Sequence, residues 1–164
     1  MVILGIDPGL AIVGYGVVEC EGNKYKVLDY GCIITDPNSL FPERLKIIYD
    51  ELLSIIHRYN PVDMAIEELF FNKNVKTAIK VGQARGVEIL AGVNEGLGIY
   101  EYTPLQIKQS VAGYGRADKR QVQDMVKLLL NLKEIPKPDD AADALAIAIC
   151  HSSCLKFKDM FKMK

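Results

Sequence analysis

Val2-Ile3-Leu4-Gly5-Ile6-Asp7-Pro8-Gly9 runs apolar and small residues straight into a carboxylate and then into a turn. Such a run, stopped by Pro-Gly, reads as a strand buried on both faces. The pattern returns when Met64-Ala65-Ile66 ends on Glu67. A carboxylate at the end of a buried strand is costly unless something pairs with it, and hard carboxylate oxygens suit divalent cations. A further pair, Asp140 and Asp143, lies one helical turn apart near the C-terminus. Four acids so placed point to a metal-dependent, phosphodiester-cleaving site.

Working outward, Gly14–Cys20 and Tyr25–Ile34 read as two further strands around the hairpin turn Glu21-Gly22-Asn23. After the loop Asp36-Pro37-Asn38-Ser39, with Ser39 as the expected cap, Leu45, Ile48, Tyr49, Leu52, Ile55 and Ile56 recur at helical spacing and predict a helix from Pro42 to Tyr59. Val62–Glu67 is the fourth strand. A helix is expected from Lys76 to Asn94; the spacing of Gly82, Gly86 and Gly92 there reads as close packing on another backbone. Gly98–Tyr102 is a fifth strand. Thr103-Pro104 caps a helix to Ala112, followed by helices over Lys119–Asn131 and Asp139–Ser153. The crossover helix after strand three lets strand four lie parallel to strand one. Asp7 and Glu67 then emerge side by side, at the strand ends where ligands gather. The expectation is an α/β, ribonuclease-H-like fold: a five-stranded mixed sheet flanked by helices. It forms a single domain over residues 1–155, with a basic, disordered tail over 156–164.

With 164 residues, the chain is long enough to bury a real core. It carries neither a bilayer-length apolar run nor a leader pattern, so no membrane role and a cytoplasmic location are expected. Cys20, Cys32, Cys150 and Cys154 sit in apolar segments and read as buried reduced thiols. Cys150-His151 with Cys154 resembles half a zinc site, but no second cluster completes it. The net charge of −1 hides a segregation. Residues 1–72 carry 5 Lys and Arg against 11 Asp and Glu, residues 73–127 carry 9 against 5, and residues 128–164 carry 6 against 5. A basic middle following an acidic N-terminal part fits a nuclease whose acids hold metal and whose bases hold phosphate, although solvated helix faces would look the same.

The last predicted helix is small or apolar around most of its circumference, so the acids of its first turns must face something. Asp139 has a sufficient role at the positive end of the helix dipole. Asp143, a full turn inside, does not. Asp139 and Asp140 both share a face with Asp143, so spacing alone does not choose between them, nor between Glu67 and Glu68. Clustered carboxylates repel unless metals neutralise them.

Leu4-Gly5-Ile6-Asp7-Pro8-Gly9, Gly14-Tyr15-Gly16, Ala65-Ile66-Glu67, Gly82-Gln83-Ala84-Arg85-Gly86 and Asp140-Ala141-Ala142-Asp143-Ala144-Leu145-Ala146 together resemble the RuvC family of crossover-junction endodeoxyribonucleases. The resemblance runs from about residue 2 to 152, with the motifs in order. It implies a homodimer that resolves four-way (Holliday) DNA junctions in recombination and repair. Each subunit would nick one of two opposed strands, leaving 5′-phosphate and 3′-hydroxyl ends. It implies Asp7, Glu67, Asp140 and Asp143 as metal-binding catalytic acids, with two Mg²⁺ per site and Mn²⁺ able to substitute. Lys108 and Lys119 match basic positions near the scissile phosphate, and Phe70 matches an aromatic that stacks on a base, with Phe71 a second stacker or a core residue. Lys73, Lys76, Lys80, Arg85 and Arg116 are expected on DNA phosphates or, for those near the glycine-spaced helix, at the dimer border. A branch-migration motor complex is the further partner implied. An actin-like ATPase would need a second lobe that this length does not allow. The ribosomal-RNA-processing nuclease of the same fold lacks the Gly-Gln-Ala-Arg-Gly helix and the Asp-Ala-Ala-Asp pairing.

Overall fold

The computed structural model describes residues 1–22, 24–69 and 75–164, the backbone alone at Val75 and Lys76. Strands β1 (Val2–Asp7), β2 (Ile12–Glu21) and β3 (Lys24–Ile34) form an antiparallel meander. Helix α1 (Phe41–Tyr59) returns the chain so that β4 (Asp63–Glu67) lies parallel to β1. Helix α2 (Val75–Asn94) then crosses to β5 (Gly98–Tyr102), parallel to β4, giving the sheet order β3-β2-β1-β4-β5. Three helices follow: α3 (Pro104–Ala112), α4 (Lys119–Leu129) and α5 (Asp139–Ser153). The expected element order and five-stranded mixed sheet are therefore present.

Alternation along the strands divides the core between two faces. Leu4, Ile6, Met64 and Ile66 point toward α1 and α2, where they meet Ile48, Leu52, Ala84 and Ala91. Ile3, Ala65, Tyr100 and Tyr102 point the other way, toward α3, α4 and α5. Each fully buried large aliphatic side chain contributes about 1.5–3 kcal/mol, which explains why β1 and β4 carry almost nothing polar before their last residue. Asp7 and Glu67 share the parity of Ile3 and Ala65, so both carboxylates leave the sheet on the α5 side.

Helix α5 lies unusually low on the sheet because glycines make room for it. A Cβ on Gly5 would stand 2.1 Å from the Ala144 carbonyl oxygen, and one on Gly14 would stand 2.1 Å from the carbonyl oxygen of Asp140. Gly16 would meet Leu145 in the same way. Gly14 pairs with Asp7 in the β1–β2 register. The start of α5 is thereby held directly beside Asp7.

Two expectations need correction. Leu40, not Ser39, is the N-cap of α1, and its N–H donates to Glu43. Gly86 faces open space and Gly92 faces the side chains of Met64 and Ile99, so the α2 glycines at these positions do not seat on another backbone within this chain. Residues 156–164 lie along the sheet edge. A 3₁₀ segment, Leu155–Met160, leads into an isolated antiparallel bridge between Lys162 and Tyr100 on the free edge of β5, where Glu101 N–H donates to the Phe161 carbonyl and Met163 N–H donates to the Ile99 carbonyl. Lys158 also reaches the buried carboxylate of Asp63 at 2.7 Å. Cys150 and Cys154 are free thiols, as expected, and His151 is fully buried between Tyr102 (2.8 Å) and Asp63 (3.0 Å), which engage its two ring nitrogens.

Candidate active site

Asp7 and Glu67 stand on neighbouring parallel strands one residue beyond the Ile6–Ile66 pair, at one end of the sheet. The N-terminal turn of α5 brings Asp140 and Asp143 to that end. Helix α4 supplies the fifth charged group. Asp118 caps it by accepting from Gln121 N–H at 2.8 Å, which makes Lys119 the first helical residue. A cation at the positive end of a helix dipole is unfavourable on its own. Here two carboxylates compensate, since Lys119 Nζ lies 3.1 Å from Asp143 and 3.2 Å from Asp139. Thr103 caps α3, its hydroxyl accepting from Gln106 N–H at 3.2 Å, and α3 carries Lys108. Glu67, Lys108, Lys119 and Asp143 line one cavity of about 250 Å³ whose floor is Ile107, Val122, Ala146 and Ile147.

The electrostatics are those of crowded, desolvated acids. Burial, then the charges of Asp143, Glu67 and Asp140, push the Asp7 carboxyl up to about 8, against the pull of Lys119. Burial and Asp143 push Glu67 up to about 7, opposed by Lys108 and Lys119. Asp143 is also raised by burial, although Lys119 holds it down. Lys119 loses hydration there, yet its bonds to Asp143 and Asp139 keep its pKa above the ordinary lysine value. Asp139 is fully exposed and lowered by Lys119, which suits an outer charge partner.

Four carboxylates and no softer donor match what a hard divalent cation takes. Among the described residues, no three His, Cys, Asp or Glu side chains stand close enough together to form a ready cage. The ammonium of Lys119 instead satisfies Asp143. The donor set fits such an ion in kind, since added positive charge would offset the burial and mutual repulsion that raise these carboxyls.

The remaining predicted residues divide. Arg116 is exposed on the loop before α4. Lys80 lies 5.8 Å above the Phe41 ring, on the α1 side of the sheet and away from the acids. Arg85, expected on phosphate or at the dimer border, turns inward: its guanidinium pairs with Glu101 and donates to the Glu67 carbonyl at 3.2 Å. Its charge braces the end of β4. Phe70, Phe71 and Lys73, and the side chain of Lys76, lie outside the described residues. Sequence reasoning missed Glu88, an acid with no exposed surface on the inward row of α2, bonded to the amide of Gly9 at 3.3 Å. The available signal was an acid between Ala84 and Ala91 on an otherwise small, apolar row.

Comparison with known proteins supports the same picture. The family model described as "Crossover junction endodeoxyribonuclease RuvC" matches residues 3–151. A protein of that name from Alkaliphilus oremlandii is 64% identical over 164 residues, all of both chains. One from Halothermothrix orenii is 68% identical over 153 residues, 93% of each. Among solved structures, Thermus thermophilus RuvC in complex with Holliday junction substrate superposes with a TM-score of 0.93 at 40% identity, covering 99% of this chain and 98% of that one. With a family model spanning nearly the whole sequence and full-length relatives above 60% identity, this chain belongs to the RuvC family of crossover junction endodeoxyribonucleases.

Proposed function

We propose that this protein is a structure-specific endonuclease that resolves four-way DNA junctions by paired nicks in opposed strands. The nicks leave 5′-phosphate and 3′-hydroxyl ends. The observation that carries this reading is the meeting of Asp7 and Glu67 with the acidic first turns of α5, beside a cavity lined by Lys108 and Lys119. Asp7, Glu67, Asp140 and Asp143 would hold two Mg²⁺ ions, or Mn²⁺ in their place. When bound, such ions supply an activated water and stabilise the leaving oxygen of an in-line phosphoryl displacement. Lys119 and Lys108 lie where a scissile phosphate entering the cavity meets positive charge, and they offset the charge that builds up in the transition state. Arg116 extends the basic surface toward the DNA arms; Lys73 would bind a backbone phosphate and Phe70 would stack on an unpaired base at the junction centre.

Two opposed nicks require two sites, so the working form is a homodimer. Its seam is proposed on α2, where Ile79, Leu90 and Val93 are 57%, 50% and 54% exposed and Gly86 opens a gap between them. Apolar residues at that spacing form a stripe that a second copy would cover. Coupling to a branch-migration motor follows from the family alone. Among the described residues no helix is long and apolar enough to cross a membrane. Four free cysteines suit the cytoplasm, where thiols stay reduced.

The test is a synthetic junction with a short mobile core, each strand labelled in turn, incubated with protein and Mg²⁺. Symmetrical nicks in two opposed strands, abolished by EDTA and by Asp7→Asn, are the expected result. Equal cutting of linear duplex, or cutting of structured RNA in place of junctions, would overturn the reading.

A further inference from the structure

Helix α2 faces the sheet with Ala84, Glu88 and Ala91, one residue per turn, and none has exposed surface. A carboxyl in that row is expensive to bury. Glu88 recovers little of the cost through hydrogen bonding: Oε1 accepts from Gly9 N–H at 3.3 Å, while Oε2 is buried without a partner. The adjacent Arg85 commits its guanidinium to Glu101 and to the Glu67 carbonyl. For stability alone, an apolar side chain of similar volume would serve this position at least as well. The bond it does make is specific. Gly9 lies two residues beyond Asp7, in a turn so tight that a Cβ there would stand 1.9 Å from the Ile12 carbonyl oxygen. Through this residue α2 grips the end of β1, as Arg85 grips the end of β4.

We propose that Glu88 is a positioning residue for Asp7: delivered by α2 from the face of the sheet opposite α5, its carboxyl anchors the Gly9 amide and fixes the turn that aims Asp7 into the acid cluster. This rests on the reading of Asp7 as a metal-binding acid. Burial pushes the Glu88 carboxyl up to about 8, against the pull of the Gly9 amide and Arg85. It can therefore stand behind Asp7 largely without adding a full negative charge. Outer residues that orient a ligand commonly change metal affinity or activity by about 10–100-fold when removed.

The experiment compares full-length Glu88→Gln, which keeps an acceptor oxygen, with Glu88→Leu, which keeps approximate volume and loses it. Mn²⁺ binding without DNA is followed by calorimetry, Gly9 amide protection by hydrogen exchange, and junction nicking under single-turnover conditions. Glu88→Leu is expected to lose Gly9 protection and to weaken Mn²⁺ binding and nicking about 10-fold or more, with junction binding in EDTA unchanged. Glu88→Gln should stay within about threefold of the parent in all three. If Glu88→Leu does not fold, Glu88→Asp, which withdraws the carboxyl by one methylene, decides by the same criteria. Mn²⁺ affinity and Gly9 protection equal to the parent in the decisive variant would overturn the proposal. A parent protein that binds Mn²⁺ but nicks no junction would refute the nuclease reading and leave the Glu88 comparison decisive.

Discussion

Replacing Asp7 with Asn should abolish nicking and, in the absence of metal, make the protein more stable. The Asp7 carboxyl stands at about 8 in the folded protein against 3.8 for the free group, chiefly through burial and the charges of Asp143, Glu67 and Asp140. A group whose folded pKa is raised favours the fold while protonated. Its contribution is complete below the unfolded value and is lost as pH climbs toward the folded one. At about 1.36 kcal/mol per pH unit, holding this proton at pH 7 costs the folded state about 4 kcal/mol of stability relative to a group that does not titrate. Repulsion shared with Glu67 and Asp143, together with local solvation, lowers the measurable gain from Asp7→Asn to roughly 1–3 kcal/mol. For a chain of this length that is a rise in Tm of about 3–10 °C. Glu67 and Glu88 act in the same direction, with pKa values of about 7 and about 8. His151 acts in the opposite direction: burial lowers it, so its effect is destabilising only as pH falls below 6.5. The informative window is therefore pH 6.5–8, read by scanning calorimetry in EDTA. The parent Tm should fall across that window, Asp7→Asn should fall less, and Mg²⁺ should restore the parent much more than the variant. A variant no more stable than the parent at pH 7.5, or a parent profile that is flat or rising from pH 6.5 to 8, would refute this account of the acid cluster.

Gly5→Ala places a methyl 2.1 Å from the Ala144 carbonyl, so α5 must lift from the sheet. The expected loss is roughly 1–3 kcal/mol in urea unfolding, with slower nicking as Asp143 shifts; an unchanged midpoint would show that α5 is not held by this contact. Lys158→Met removes the tail cation from the buried Asp63 carboxylate. It should cost about 1–2 kcal/mol and raise amide exchange along β5, and Asp63→Asn in the same chain should recover part of the loss; identical exchange at Ile99 and Glu101 would count against the clasp. Phe70→Ala should slow single-turnover nicking by the equivalent of about 1–3 kcal/mol of stacking, with Tm unchanged. A large drop in Tm would identify Phe70 as a core side chain.

What was legible in the sequence follows the range of the interactions concerned. The apolar runs at Val2–Asp7 and Val62–Glu67, and the cap at Thr103, are local patterns, and the structure has these elements within a residue or two of expectation. The β5-edge bonds of residues 156–164 were illegible because four lysines give the segment a solvated appearance, while the Phe161 and Met163 contacts involve partners about 60 residues away. The Arg85–Glu101 pair was illegible for a related reason: it joins residues that only the packing of α2 on β5 brings together.

By itself the sequence determined the strands and the helices, because each is set by neighbours in the chain, and its motifs marked the family, whose pattern rather than spacing singled out Asp140 over Asp139 and Glu67 over Glu68. Only the tertiary structure decided that those acids meet. Convergence depends on Gly5 and Gly14 admitting the backbone of α5, on the packing of α4 against α5 that sets Lys119 beside Asp143, and on Glu88 reaching the Gly9 amide from the opposite face of the sheet. Each of these contacts joins residues that are distant in sequence or settled only by how the elements pack, and no periodicity encodes a distance between elements.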